Sequence, residues 1–227
     1  MGGEDAILEF AGVTLGWAQG RARLERFSAR LPPGTLAVAR TGEGRGTPPL
    51  ADAAEGLISP EEGRVRFLGE EWGMMDRDTA LDRRGMIGRV FGARGWISNL
   101  SVLENISLSA RHHTARAEGD ILAEIAARAR AFGLGAIPAV RPAHAAGGAL
   151  RVAEWVRAFL GSPRLVLLEH PLRGVRAEYL PGLIGAVREA CARGGAVLWV
   201  TDVEPEGMPP ADRYDLRGAA GARGDGP

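Results

Sequence analysis

The sequence predicts an α/β fold in which an antiparallel β region leads into a parallel, helix-covered core that carries an inserted helical region. Three observations predict it. Residues 6–13 and 24–31 alternate apolar and polar side chains, as half-exposed antiparallel strands do. Residues 35–57 run strand, glycine-rich loop, helix. After a long helical stretch, two short and continuously apolar runs, 164–168 and 196–200, flank a further helix, the pattern of buried parallel strands.

Each element follows from local chemistry. Pro32-Pro33-Gly34 forces a turn after Leu31, and residues 35–39 then supply a short buried strand. Thr41-Gly42-Glu43-Gly44-Arg45-Gly46-Thr47 is the glycine loop, and residues 50–57 read as the helix that leaves it. Residues 63–68 alternate as a strand, and 86–91 read as another buried one. From 102 to about 159 the apolar spacing of three and four predicts helices, including 121–132 and 152–160. Residues 183–192 form one more helix. The expected organisation is one domain over 1–217, with the helical subdomain inserted at about 93–160 and a disordered Gly/Ala-rich tail at 218–227.

Composition narrows the function. The chain has 227 residues, 45% of them apolar, with formal net charge zero, so it can bury a core and presents no broad basic field for nucleic acid. Cys191 is its single cysteine, which excludes an internal disulfide and a zinc site of several thiolates. The first eighteen residues contain Glu4, Asp5 and Glu9 without a basic start and are not expected to be a signal peptide. No run approaches the roughly 18 apolar residues that span a bilayer, so a membrane role has to come through a partner. All 28 residues counted as Lys plus Arg are arginine.

The missing lysine bears on the glycine loop. A phosphate-binding loop of this kind uses backbone N–H groups to curl round phosphate, a lysine to neutralise the β and γ groups, and a hydroxyl for Mg²⁺. Gly44 and Gly46 stand where the last glycines of such a loop belong, but Thr47 takes the lysine position, followed by Pro48 and Pro49, which have neither hydroxyl nor N–H.

The order of segments round the loop resembles the ATP-binding domains of ABC transporters. Gly56-Leu57-Ile58-Ser59-Pro60-Glu61-Glu62-Gly63-Arg64-Val65 resembles the turn and strand after the P-loop. Ile87-Gly88-Arg89-Val90-Phe91-Gly92 resembles the Q-loop strand, and Leu100-Ser101-Val102-Leu103-Glu104-Asn105-Ile106 the start of the helical subdomain. Ala145-Ala146-Gly147-Gly148 looks like the signature, residues 157–171 like the signature helix running into Walker B, and 197–201 like the switch-histidine strand. The resemblance covers residues 7 to about 217. Residues 99–105 with Arg111-His112-His113-Thr114 are similar to the ATPase subunit of Mla/Mce-type phospholipid transporters.

What the resemblance implies is a P-loop NTPase fold, ATP as ligand, a dimer with a copy or with another ATPase subunit, and a cytoplasmic position under a membrane permease. In the family Mg²⁺ is held by the loop hydroxyl, the Q-loop glutamine and, through water, the Walker B aspartate. The next carboxylate polarises water and a histidine meets the γ phosphate. Here those positions are Pro48, Gly92, Glu169, His170 and Asp202.

The implied nucleotide-binding residues are therefore Trp17, expected to stack on adenine, with Gly44, Gly46, Thr47 and Glu169. Glu169 and His170 are the remaining catalytic candidates, with Arg45 as a substitute phosphate contact and no metal site expected. Ala146, Gly147 and Gly148 form an altered signature that can still complete the site of a partner. The resulting expectation is a transport subunit that binds ATP weakly, does not use Mg²⁺ and does not hydrolyse. An active ATPase with unorthodox residues and a free-standing scaffold are the alternatives. His112 and His113 are expected to be solvated helix-end residues, and Trp155 and Trp199 core residues.

Overall fold

The computed structural model describes residues 6–17, 22–42, 46–93 and 95–217. Gly44, Arg45 and the 218–227 tail lie outside them. The described elements form the α/β architecture that the sequence predicts. β1 (Leu8–Trp17) and β2 (Ala22–Leu31) pair antiparallel with β4 (Glu62–Phe67) and β5 (Glu70–Glu71) in the order β2-β1-β4-β5. β6 (Ile87–Val90), β7 (Leu165–Glu169), β8 (Ala196–Thr201), β3 (Leu36–Arg40) and β9 (Asp212–Asp215) form a parallel sheet in that order.

Strand periodicity explains how one parallel sheet serves two cores. Successive side chains of a strand point to opposite faces. Ala37, Ala39, Leu165, Leu167, Leu198 and Val200 accordingly face the antiparallel sheet and α1 (Leu50–Ala54). Val38, Val166, Leu168, Val197 and Trp199 face the helices. Those helices are α3 (Val102–His113), α4 (Glu118–Ala131) and α5 (Gly147–Phe159), which intervene in sequence between the paired strands β6 and β7, and α6 (Leu180–Ala192). A polar helix, α2 (Arg77–Arg84), precedes β6. Trp155 and Trp199 are fully buried, whereas His112 and His113 end α3 exposed to solvent.

Three local devices position the site. A Cβ on Gly88 would lie 1.7 Å from the carbonyl oxygen of Ala158, so the absence of a side chain lets α5 seat directly on β6. Ser101 and Glu104 form a capping box that starts α3. The Asn105 side chain, one turn on, accepts from Ile97 N and donates to the carbonyls of Ile97, Leu100 and Ser101, pinning the segment after β6 to α3. The helix expected over 50–57 is shorter. α1 ends at Ala54, and Arg84 donates to the carbonyls of Glu55 and Gly56 at 2.9 Å just beyond it.

Candidate functional site

The C-terminal ends of β7 and β8 and the start of α1 bring together residues far apart in sequence. His170 follows β7 with a left-handed backbone (φ 45°), rare for a non-glycine residue, and its N–H donates to Val200 O at 2.8 Å. Its ring joins two partners: Nε2 lies 2.7 Å from the Thr47 hydroxyl, and Nδ1 lies 3.3 Å from Asp202 Oδ1. Arg173 donates to the other Asp202 oxygen at 3.5 Å.

The protonation pattern follows from these partners. An ionised carboxylate only accepts, so Nδ1 carries the proton and Nε2 of the neutral ring accepts from Thr47. Burial, and then the Arg173 charge, hold the His170 pKa below its ordinary value against the opposing pull of Asp202. Burial raises Asp202, but its own backbone N–H and His170 prevail and hold it low. The geometry is a hydroxyl–imidazole–carboxylate chain with its base neutral.

This has a pH consequence. A histidine whose folded pKa is depressed takes up protons more readily unfolded, so its stabilising contribution is complete above about pH 6.5 and is lost as pH falls through the folded pKa. In urea unfolding at pH 7.5, 6.5 and 5.5, the wild type should lose more stability on acidification than His170→Gln. For one proton the difference in slope stays below about 1.4 kcal/mol per pH unit. Parallel pH curves for the two proteins would remove His170 from the account.

Beside this chain stands a second cluster, which the sequence did not announce. Arg89, buried in β6, donates from Nε at 2.9 Å and from Nη2 at 2.7 Å to Oε2 of Glu169. Its Nη1 lies 2.7 Å from Glu55 Oε2 and 2.8 Å from Asp52 Oδ1, both carboxylates lying on or at the end of α1. The Phe91 ring lies 4.5 Å from the guanidinium carbon. Burial works against the Arg89 charge, yet Glu169 and Glu55 outweigh it and raise its pKa. Burial also pushes the Glu55 carboxyl up, against the lowering by Arg89. Gly92, expected at the Q-loop position, offers only its N–H, 3.4 Å from the same Glu169 oxygen.

No family model matches the chain. It is 26% identical over 203 residues to the macrolide export ATP-binding/permease protein MacB of Azoarcus sp., covering 86% of this chain and 30% of that protein. The chain thus spans under a third of that relative. It is 24% identical over 193 residues to the intermembrane phospholipid transport system ATP-binding protein MlaF of Escherichia coli K12, covering 85% and 72%. The dimeric ATP-binding cassette MJ0796, solved in a post-hydrolysis state bound to ADP and Pi, superposes with a TM-score of 0.76 at 20% identity, covering 86% and 88%. The chain has the fold and sequence pattern of an ABC-transporter ATP-binding domain.

Trp17 ends β1 beside the loop, its Nε1 3.4 Å from where a Gly46 Cβ would stand, and Gly46 itself has φ 72°. Pro48 and Pro49 precede α1, which begins without a side-chain cap. Ala146 is the N-cap of α5, with Gly147 and Gly148 in its first turn, and a Cβ on Gly148 would meet the Gly174 carbonyl at 3.3 Å. Thr47 and His170 are bonded to each other, and Glu169 is bonded to Arg89. Ala146-Gly147-Gly148, the expected signature, opens a separate helix.

A groove of about 630 Å³ runs along β6 toward α3 and α5, lined by Glu55, Arg89, Phe91, Ile106, His113 and Arg157 among others. Arg157 lies 4.7 Å from the centre of the Trp96 ring and donates to the Gly95 carbonyl, tying that segment to α5. Among the described residues no helix is long and apolar enough to cross a membrane.

Proposed function

We propose that this cassette is the peripheral, cytoplasmic subunit of a membrane transporter. In this proposal it pairs with a competent ATPase subunit or a second copy, binds nucleotide loosely and does not hydrolyse ATP at its own site. One observation carries the proposal: the side chains at the positions that would serve the γ phosphate are hydrogen-bonded to one another, Thr47 to His170 and His170 to Asp202. Phosphoryl transfer rests on positioned charge, and losing one such donor typically costs about 10²–10³ in kcat.

The residues present do not fit Mg²⁺ held in the family manner. Pro48 brings no hydroxyl, Gly92 no side chain, and Oε2 of Glu169 accepts from Arg89. Trp17 and the Gly44–Gly46 loop remain to hold the nucleotide, with Trp17 stacking on adenine. Ala146, Gly147 and Gly148 keep the backbone donors of a helix start, and through them the cassette supports hydrolysis in its partner's site. The likeness to MlaF favours phospholipid as the transported class, and the groove along β6 suits a permease segment.

The test is ATP turnover by the purified chain with and without Mg²⁺, alongside binding of a fluorescent adenine nucleotide. No turnover above the buffer blank is expected. Turnover abolished by His170→Gln or Glu169→Gln would replace this proposal with an active ATPase, for which the Thr47–His170–Asp202 chain would supply the base. Membrane subunits absent on co-purification from native membranes would favour a free-standing scaffold instead.

A further inference from the structure

We infer that Arg157 anchors a docking groove for a membrane-subunit segment that presents a carboxylate among apolar side chains. The inference rests on the transporter role proposed above and names the chemistry by which the partner is recognised.

Arg157 stands where two hollows meet. One is the groove of about 630 Å³ along β6, and the other, of about 650 Å³, lies between the segment after β6 and α3. Phe91, Ser109, His113 and Arg157 line both. The guanidinium carbon is 5.3 Å from the centre of the Phe91 ring and 4.7 Å from that of Trp96. Its Nη1 donates to the Gly95 carbonyl, whereas Nη2 is buried with no acceptor among the described residues.

A buried cation needs a countercharge, and the acids near Arg157 are committed elsewhere. Glu154, which acts on it most strongly, is bonded to Arg151 at 2.6 Å. Glu55, lining the β6 groove, is bonded to Arg89, and Asp82, the other acid there, stands exposed on α2. Among the described residues no acid lines the second hollow. Burial holds the Arg157 pKa below its ordinary value, with Glu154 opposing and Arg151 assisting.

The walls of the second hollow are apolar as well as basic. Phe91 and Leu108 are partly buried there, and Ile97 is 45% exposed. An arginine held against aromatic rings in an apolar cleft has the composition of an interface anchor. The rings and the Gly95 carbonyl already fix the guanidinium, so little side-chain freedom is lost when a carboxylate binds it. Gly95 covers Nη2 without a side chain, and a Cβ there would lie 2.9 Å from it. The entering carboxylate takes Nη2 as this segment gives way.

The chain contains no lysine, all 28 residues counted as Lys plus Arg being arginine, so an introduced lysine is its one side-chain amine. The full chain with its membrane subunits is purified in detergent from native membranes and treated with a carbodiimide, which joins an amine to a carboxylate it touches. Arg157→Lys should cross-link through position 157 to an Asp or Glu of the membrane subunit. Arg188→Lys, exposed on α6, should not. Arg157→Gln should retain the membrane subunit about tenfold less well, while the isolated chain melts no lower than wild type, because the cation it loses has no countercharge. No cross-link from position 157, an equal one from position 188, or unchanged retention by Arg157→Gln would each overturn the inference. A fall in retention that comes with a lower melting temperature would overturn it too, by making Arg157 a structural residue. If wild type retains no membrane subunit, the transporter role proposed above is what fails, and the inference falls with it.

Discussion

Arg89→Met is expected to lower folding stability by about 3–5 kcal/mol, read from urea unfolding, because it leaves buried carboxylates without their countercharge. The size follows from asymmetry. A buried ion pair adds little over an apolar pair of the same shape, whereas deleting one partner strands the other. Glu169 and Glu55 would be the stranded groups, with side chains 10% and 13% exposed. Burial already raises the Glu55 pKa with Arg89 present, so without Arg89 that carboxyl takes a proton more readily still. Glu169→Gln alone should cost less, since a neutral amide can still accept from Arg89. The double variant should cost less than the sum of the two singles by about 1 kcal/mol or more, the signature of residues in direct contact. Additive costs, or a loss under about 1 kcal/mol for Arg89→Met, would mean that the guanidinium is not what holds these acids.

The same residue marks the limit of what the sequence could reveal. Periodicity reports which face of a strand or helix is apolar, and it found the strands on both sides of the core because their apolar residues are continuous or alternate. It missed α2, where Ala80 is the single buried residue and no stripe exists, and β9, whose four residues Asp212–Asp215 are mostly exposed. Within β6 it registered a buried strand and passed over the one charged residue there. The partners of Arg89 that matter most lie 34 and 80 residues away in sequence, and Thr47 and His170 are 123 apart. Such pairings are made by strand order, not by local spacing. The legible hint was chemical: an arginine inside an apolar strand needs a buried acid, and Asp52 and Glu55 sit three apart on a helix that otherwise carries leucine and alanine. The resemblance aligned Thr47, His170 and Asp202 with three separate functional positions, and only the folded chain shows them joined.

Trp155→Ala should cost a comparable amount, about 3–5 kcal/mol, through the cavity it opens. Trp155 is fully buried on α5, meets Phe132 edge-on at 5.7 Å, and donates from Nε1 to the Pro171 carbonyl at 3.1 Å. That last bond ties the helix opened by Ala146-Gly147-Gly148 to the turn that carries His170. Trp155→Phe keeps most of the ring volume and removes the donor, so its cost should be smaller, about 1–2 kcal/mol, the toll of one unsatisfied buried acceptor with a minor packing loss. Equal costs for the two variants would show that the hydrogen bond, and not the packing, dominates. The two losses should also differ in where they act. Amide exchange in the phenylalanine variant should rise together in the second half of α5, round Trp155, and over residues 170–174, because the bond joins those two segments, while the centre of the parallel sheet stays protected. A rise confined to α5 would show that α5 and the turn after β7 move independently, leaving Trp155 a packing residue with no part in coupling them.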